Sequence, residues 1–124
     1  MKAIATAADP STWTDAHLHA WDASVLGAPW FAQAPQFAGC FDLARYRAEG
    51  GVGGGLVFVE ADMAPADRAR EARIFAEWGA ASGAPWATVA GIDPGGAGFL
   101  DELAAREGVE GLDPVPGTAP VAAS

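Results

Sequence analysis

The run Leu56-Val57-Phe58-Val59 restricts the fold more than any other segment of the chain. A strand with one wet face alternates apolar and polar side chains. An uninterrupted apolar run rich in β-formers instead suits a strand buried on both faces, as in a parallel sheet. Trp86 to Ile92 is a second run of this type. Parallel neighbours need a crossover connection, and helix signals lie between the two runs. Pro65 suits a first helical turn and Asp67 favours the positive helix end. Ile74, Phe75, Trp78 and Ala81 then recur at helical spacing, and Gly83 can close the helix.

The flanks repeat the alternation. "TWTDAHLHA" is strand-like. "WDASVLGAPWFAQAPQF" is broken by Pro29 and Pro35 and reads as loop with a helical turn. "FDLARYRAEG" reads as a short helix that Asp42 can cap and Gly50 and Gly51 can end. "GAGFLDELAAREG" is a further helix, with Leu100, Leu103 and Ala104 on one side and Gly108 at its end. "VEGL" begins a fourth strand. Strand and helix alternate throughout, which predicts an α/β fold of βαβ units on a parallel sheet. Residues 1–11 read as an irregular arm and 12–112 as the folded portion. Residues 113–124, with three prolines and no periodicity, read as a disordered tail.

The charge balance excludes whole classes of partner. Sixteen acids stand against seven bases, a net charge of -9. The arginines are scattered over helical stretches, so neither a nucleic acid nor an anionic membrane surface finds a basic patch. No segment approaches the roughly 20 apolar residues of a membrane span, and the N-terminus lacks the apolar run of a signal peptide. Cys40 is the single cysteine. It cannot form an intramolecular disulfide, which fits a reducing, cytoplasmic setting, and beside Gly39 and Phe41 it reads as a small buried apolar residue. The tryptophans read as core or loop packing. The glycine run "EGGVGGG" lacks the Gly-Lys-Ser/Thr ending of a phosphate loop and precedes a strand instead of opening a helix.

Chemistry concentrates at the strand ends. In parallel α/β sheets ligands bind at the carboxyl ends of the strands. The first strand ends in His17 and His19, the chain's two histidines. The second ends in Glu60, followed by Asp62, and the third ends in Asp93. Residues two apart on a strand share a face, so the two imidazoles can tilt onto one divalent ion such as Zn²⁺ or Mn²⁺. That ion can lower the pKa of a bound water toward about 7 and polarise a carbonyl. Glu60 and Asp93 are the candidate catalytic carboxylates, able to orient the water or a ligand. They can equally cap the following helices or accept from loop amides. Two imidazoles are fewer than the three protein ligands of a catalytic zinc.

Several stretches together carry a family pattern: "DAHLHAWD", "APWF", "GLVFVEAD" and "REARIFAEW". The set resembles the start of amidohydrolase-related proteins, in particular the TIM-barrel metal-dependent hydrolases of the fuconolactonase and pyrone-dicarboxylate lactonase type. The matching residues are Asp15, His17, His19, Trp21, Asp22, Pro29, Trp30, Val59, Glu60, Ala61, Arg70, Glu71 and Ala72, within a stretch of residues 13–112. The resemblance implies a partial (β/α)8 barrel. It makes His17 and His19 first-strand metal ligands, or substrate contacts where no metal is used. The implied reaction is hydrolysis of a lactone, ester or amide by an activated water; other relatives are metal-dependent decarboxylases.

The length departs from that pattern. A complete barrel needs eight strand-helix units, about 250 residues. The chain has 124 residues and no histidine beyond His19. It reads as the N-terminal half of a barrel enzyme, from a truncated or frameshifted frame, with little activity alone. The expected partners are a small lactone-like substrate, a complementing C-terminal half, or a second copy. The competing expectation is a non-enzymatic remnant or interaction module that pairs through its open sheet edges.

Overall fold

The computed structural model describes Asp9 and residues 12–107. The fourth strand expected at 109–112, the helix end at Gly108, the tail from Asp113 and most of the N-terminal arm lie outside the described residues. In chain order the elements are β1 (Thr14–Leu18), β2 (Trp21–Asp22), β3 (Cys40–Phe41), α1 (Leu43–Ala48), β4 (Gly55–Val59), α2 (Arg68–Ser82), β5 (Trp86–Val89) and α3 (Phe99–Glu107). β1, β4 and β5 form one parallel sheet in that order, so consecutive strands are neighbours in a mixed α/β fold. The first strand begins one residue before Asp15, and β5 stops at Val89, short of the expected Ile92.

β4 is the middle strand, and its alternation sorts the molecule into two sides. Leu56 and Phe58 are buried, while Val57 and Val59 are only half-buried. On the first side Phe58 stacks on Phe75 of α2, with centroids 5.0 Å apart and planes 12° from parallel. Leu18, Ala20 and Leu43 complete this core, with Tyr46, Trp78 and Trp86 packed against it. Gly79 lets α2 approach β5, since a Cβ there would collide with the Trp86 ring. Ala81, the last member of the predicted stripe, is exposed. Gly83 ends α2 in the left-handed conformation at φ 71°, as its position suggests. Asp42 caps α1, its carboxylate accepting from the Arg45 amide at 2.9 Å.

An irregularity in β1 decides which way the histidines point. Asp15 pairs with Leu56 and Leu18 with Phe58, so three steps on β1 match two on β4. One extra residue is a β-bulge. Asp15 and Leu18 therefore share the helix-covered side although they are an odd number apart. Leu18 lies in the core, and Asp15 accepts from the Tyr46 hydroxyl at 2.8 Å. His17 and His19, one residue either side of Leu18, lie on the opposite side and are exposed. The glycine run has a packing explanation too: a Cβ on Gly54 would strike the Trp13 carbonyl and the Thr12 backbone.

The segment between β1 and α1 is more ordered than its prolines suggest. β2 and β3 pair antiparallel. Between them Pro29 and Pro35 each open a 3-10 turn, Pro29–Ala32 and Pro35–Phe37, where a fixed φ and a missing amide are harmless. Trp21, Leu26, Ala28 and Met63 form a second core beneath this loop, flanked by Trp30, Phe31, Phe41 and Ile74. Cys40 is exposed, against the expectation of burial. Its strand alternates, and Phe41 takes the inward position against Trp21, 5.2 Å between centroids. Trp13 is also exposed.

α3 corrects a second expectation. Leu100 is 63% exposed, whereas Arg106 is 7% exposed. Ala104 is exposed and Leu103 half-buried. The apolar residues do not all mark the docked side, because Arg106 turns inward and its guanidinium reaches the Gly91 carbonyl at 3.5 Å.

Two substitutions separate packing from helix propensity. Phe75→Ala is expected to cost about 3–5 kcal/mol by emptying the ring stack. Gly79→Ala would gain about 1 kcal/mol on propensity alone. Overpacking against Trp86 is expected to cost about 1–3 kcal/mol and leave a net loss. Urea unfolding of both variants checks this, and a more stable Gly79→Ala protein would contradict the close α2–β5 approach.

Candidate functional site

Asp15 anchors the histidine segment. One carboxylate oxygen accepts from the His17 amide at 3.0 Å, and the other from the Tyr46 hydroxyl. The bulge then brings the two imidazoles together. Their Nε2 atoms are 3.0 Å apart and their rings meet edge-on, 71° between planes. His19 Nδ1 lies 3.1 Å from the Val59 carbonyl oxygen. A carbonyl only accepts, so Nδ1 of His19 carries a proton. Of the two Nε2 atoms, one donates and the other accepts. An imidazole whose Nδ1–H is held by a backbone carbonyl has the orientation metal-bound histidines usually have, although here the Nε2 of His19 is engaged by His17. The proton between the two Nε2 atoms would have to leave before both could face one cation.

A cleft of about 380 Å³ opens beside this pair, lined by His19, Trp21, Trp30, Glu60, Ala61 and Asp62. Its floor is the chain leaving β4. Glu60 accepts from the Asp62 amide at 2.7 Å, a short turn that places Asp62 at φ 53°. Its walls are two indoles in an edge-on pair, 5.4 Å between centroids. Each is held by its ring N–H: Trp21 donates to the Phe37 carbonyl and Trp30 to the Ala61 carbonyl, both at 2.8 Å. His19 and Glu60 thus share one concave surface, as their positions at strand ends suggest.

Asp93 does not line this cleft. β5 ends at Val89, so Asp93 falls four residues later in an exposed turn. Its carboxylate accepts from the Gly95 amide at 2.9 Å and its carbonyl from the Gly96 amide at 3.1 Å. Glu60 and Asp93 therefore both bond loop amides, and Glu60 alone of the two also faces the cleft. Gly91 approaches Glu60 instead: a Cβ there would lie 3.3 Å from Glu60 Oε2. Among the described residues no group of three or more His, Cys, Asp or Glu side chains is placed to hold a metal ion. Among the described residues the two imidazoles meet each other, and no third donor joins them.

Glu71 is the functional candidate that strand-end reasoning misses. It is 1% exposed, and its carboxylate accepts from the Ala61 amide at 3.1 Å. Burial pushes its pKa up to about 7; the Ala61 hydrogen bond opposes this, the Glu60 and Asp62 carboxylates add to it, and the Arg106 guanidinium opposes it. The available signal was its spacing, one helical turn before Phe75 on the buried stripe.

The raised value has a definite sign. Between about pH 4.5, the ordinary value, and pH 7 the folded protein keeps a proton that the unfolded chain releases. Stability therefore falls as pH rises through this window and levels off above it. In urea unfolding at pH 5 and pH 8, wild type is expected to lose more stability than Glu71→Gln; equal losses would contradict the burial of this carboxyl. Compared with protein-family models, curated proteins and solved structures, the chain has no match.

Proposed function

We propose that this chain carries the first strands of an amidohydrolase-related (β/α)8 barrel and that the cleft beside His19 is a hydrolase substrate site. The carrying observation is the bulge-driven meeting of His17 and His19 where β1 ends, with His19 oriented by the Val59 carbonyl. In parallel sheets that end is the ligand side. The sequential parallel order and the half-buried face bearing Val57 and Val59 suit the inner wall of a barrel.

The substrate class is a lactone or a related ester or amide, opened by water. Glu60 faces the cleft and would take the proton of that water; Asp93, which does not line the cleft, is given no role in the step. Trp21 and Trp30 would hold the apolar part of the substrate. His17 and His19 would supply two nitrogens to Zn²⁺ or Mn²⁺. When bound, such an ion acidifies a water and polarises a carbonyl. The remaining ligands would come from further strands of such a barrel, so hydrolysis by the described residues alone is expected to be slight.

A second reading, an interaction module, is favoured by the same face. Val89 is 52% exposed, and β1 and β5 are the outer strands of the sheet as described. The two readings part on metal binding. Equilibrium dialysis against Zn²⁺ is expected to give weak one-to-one binding that falls tenfold or more in His17→Ala and in His19→Ala, roughly the loss expected for disrupting a ligand set. Binding that both variants leave untouched would end the ligand assignment. Loss of self-association in Val89→Lys would then favour the module.

A further inference from the structure

The side chains lining the cleft have their hydrogen-bond donors already engaged. The Trp21 and Trp30 indole N–H groups donate to the Phe37 and Ala61 carbonyls. His19 is held at both ring nitrogens, by the Val59 carbonyl and by His17. The floor is engaged as well: the amides of Glu60, Ala61 and Asp62 donate to the Val89 carbonyl, the Glu71 carboxylate and the Glu60 carboxylate. No lysine or arginine lines the cleft, and among the described residues the ion pairs involve neither Glu60 nor Asp62. What remains is acceptors. Only one Glu60 oxygen takes the Asp62 amide, and the Asp62 residue is exposed. The two indoles add π-surface, set nearly at right angles with 86° between planes.

We propose that the cleft takes a small organic cation, an alkylated ammonium group carried by the substrate, and rejects anions. The inference rests on the reading of this cleft as a substrate site and adds the charge of the part that the indoles hold. An anion leaving water needs donors or positive charge in exchange, and the lining supplies neither. An ammonium ion is attracted both by the negative ring faces and by the carboxylates. Alkyl groups on the nitrogen strengthen the fit, because they pack on the rings and require no acceptor of their own. Trp30 is half-buried and offers the more open ring, while Trp21 is buried behind it. The volume of about 380 Å³ falls within the range of small-molecule pockets. Asp62 is the counter-charge best tested. Its backbone is left-handed at φ 53°, a conformation that asparagine also tolerates, so Asp62→Asn removes the charge and keeps the turn.

The test is an NMR titration of the full chain, at constant ionic strength, with three probes of one shape. These are choline, neohexyl alcohol, in which carbon replaces the nitrogen, and the tert-butylacetate anion. The Trp30 indole N–H reports binding and is assigned with Trp30→Phe. Choline is expected to shift it and to bind roughly fivefold or more tightly than the alcohol, the size of a cation–π preference. The anion is expected to leave it unmoved. Asp62→Asn is expected to weaken choline severalfold and leave the alcohol unchanged. Should that variant fail to fold, Glu60→Gln is read in the same way, and the comparison of probes needs wild type alone. Alcohol binding as tight as choline, anion binding tighter than either, or a preference that both variants leave intact would overturn the charge assignment while keeping the cleft as a substrate site. Silence toward all three probes would overturn the substrate site and this inference together. Binding is read without turnover, so a failure of hydrolysis registers separately.

Discussion

The one extra residue in β1 sets the terms for everything at the ligand end of the sheet. Strict alternation from Asp15 would put the histidines on the helix side with it and Leu18 on the other. The core demands Leu18 against Phe58 and Phe75, and Tyr46 demands the Asp15 carboxylate. Both demands can be met only if the strand gains a residue between them. Burying Leu18 is favourable by about 1.5–3 kcal/mol, and the Asp15 bond adds a charge-assisted contribution. The bulge is therefore held by the core, and the orientation of His17 and His19 follows from packing on the opposite face.

The cleft is built by a different means, an aromatic loop locked onto the chain after β4. Trp21, Trp30, Phe31, Phe37 and Phe41 pack edge-on or tilted around one another, with Trp21 touching each of the others. The loop is clamped at further points: the Gly27 amide donates to the Asp67 carboxylate at 2.8 Å and the Ala64 amide to the Gly27 carbonyl at 2.8 Å. Asp67 thus serves the loop and caps nothing with its side chain, although it sits at the start of α2. Polar anchors at the rim and an apolar interior make the loop a wall with a fixed position.

Buried charge gathers behind that wall. Glu71 and Arg106 are both nearly inaccessible, on different helices, with two more carboxylates nearby. Burial of ionisable groups is unfavourable for stability unless each is paired and hydrogen-bonded. Glu71 satisfies that condition only in part, through one backbone amide, and its affinity for a proton rises accordingly.

Local patterns in the sequence determined the α/β alternation, the parallel strands around Leu56–Val59, the Asp42 cap, the Gly83 terminus and the strand-end positions of His19 and Glu60. Each depends on interactions within a few residues or on burial of one continuous run, and such terms act wherever the segment sits. Tertiary structure alone decided the bulge, the β2–β3 pairing, the exposure of Cys40, the docked face of α3, the displacement of Asp93 from the cleft and the burial of Glu71. These depend on which of two competing faces finds a partner elsewhere in the chain. Leu100 and Arg106 compete for the inside of α3, and Arg106 wins because the Gly91 carbonyl, fifteen residues away, accepts from it. Glu71 is buried where the Ala61 amide, ten residues earlier in the segment after β4, meets its carboxylate. No local signal encodes those meetings, since the partners become neighbours only when the sheet and helices have packed.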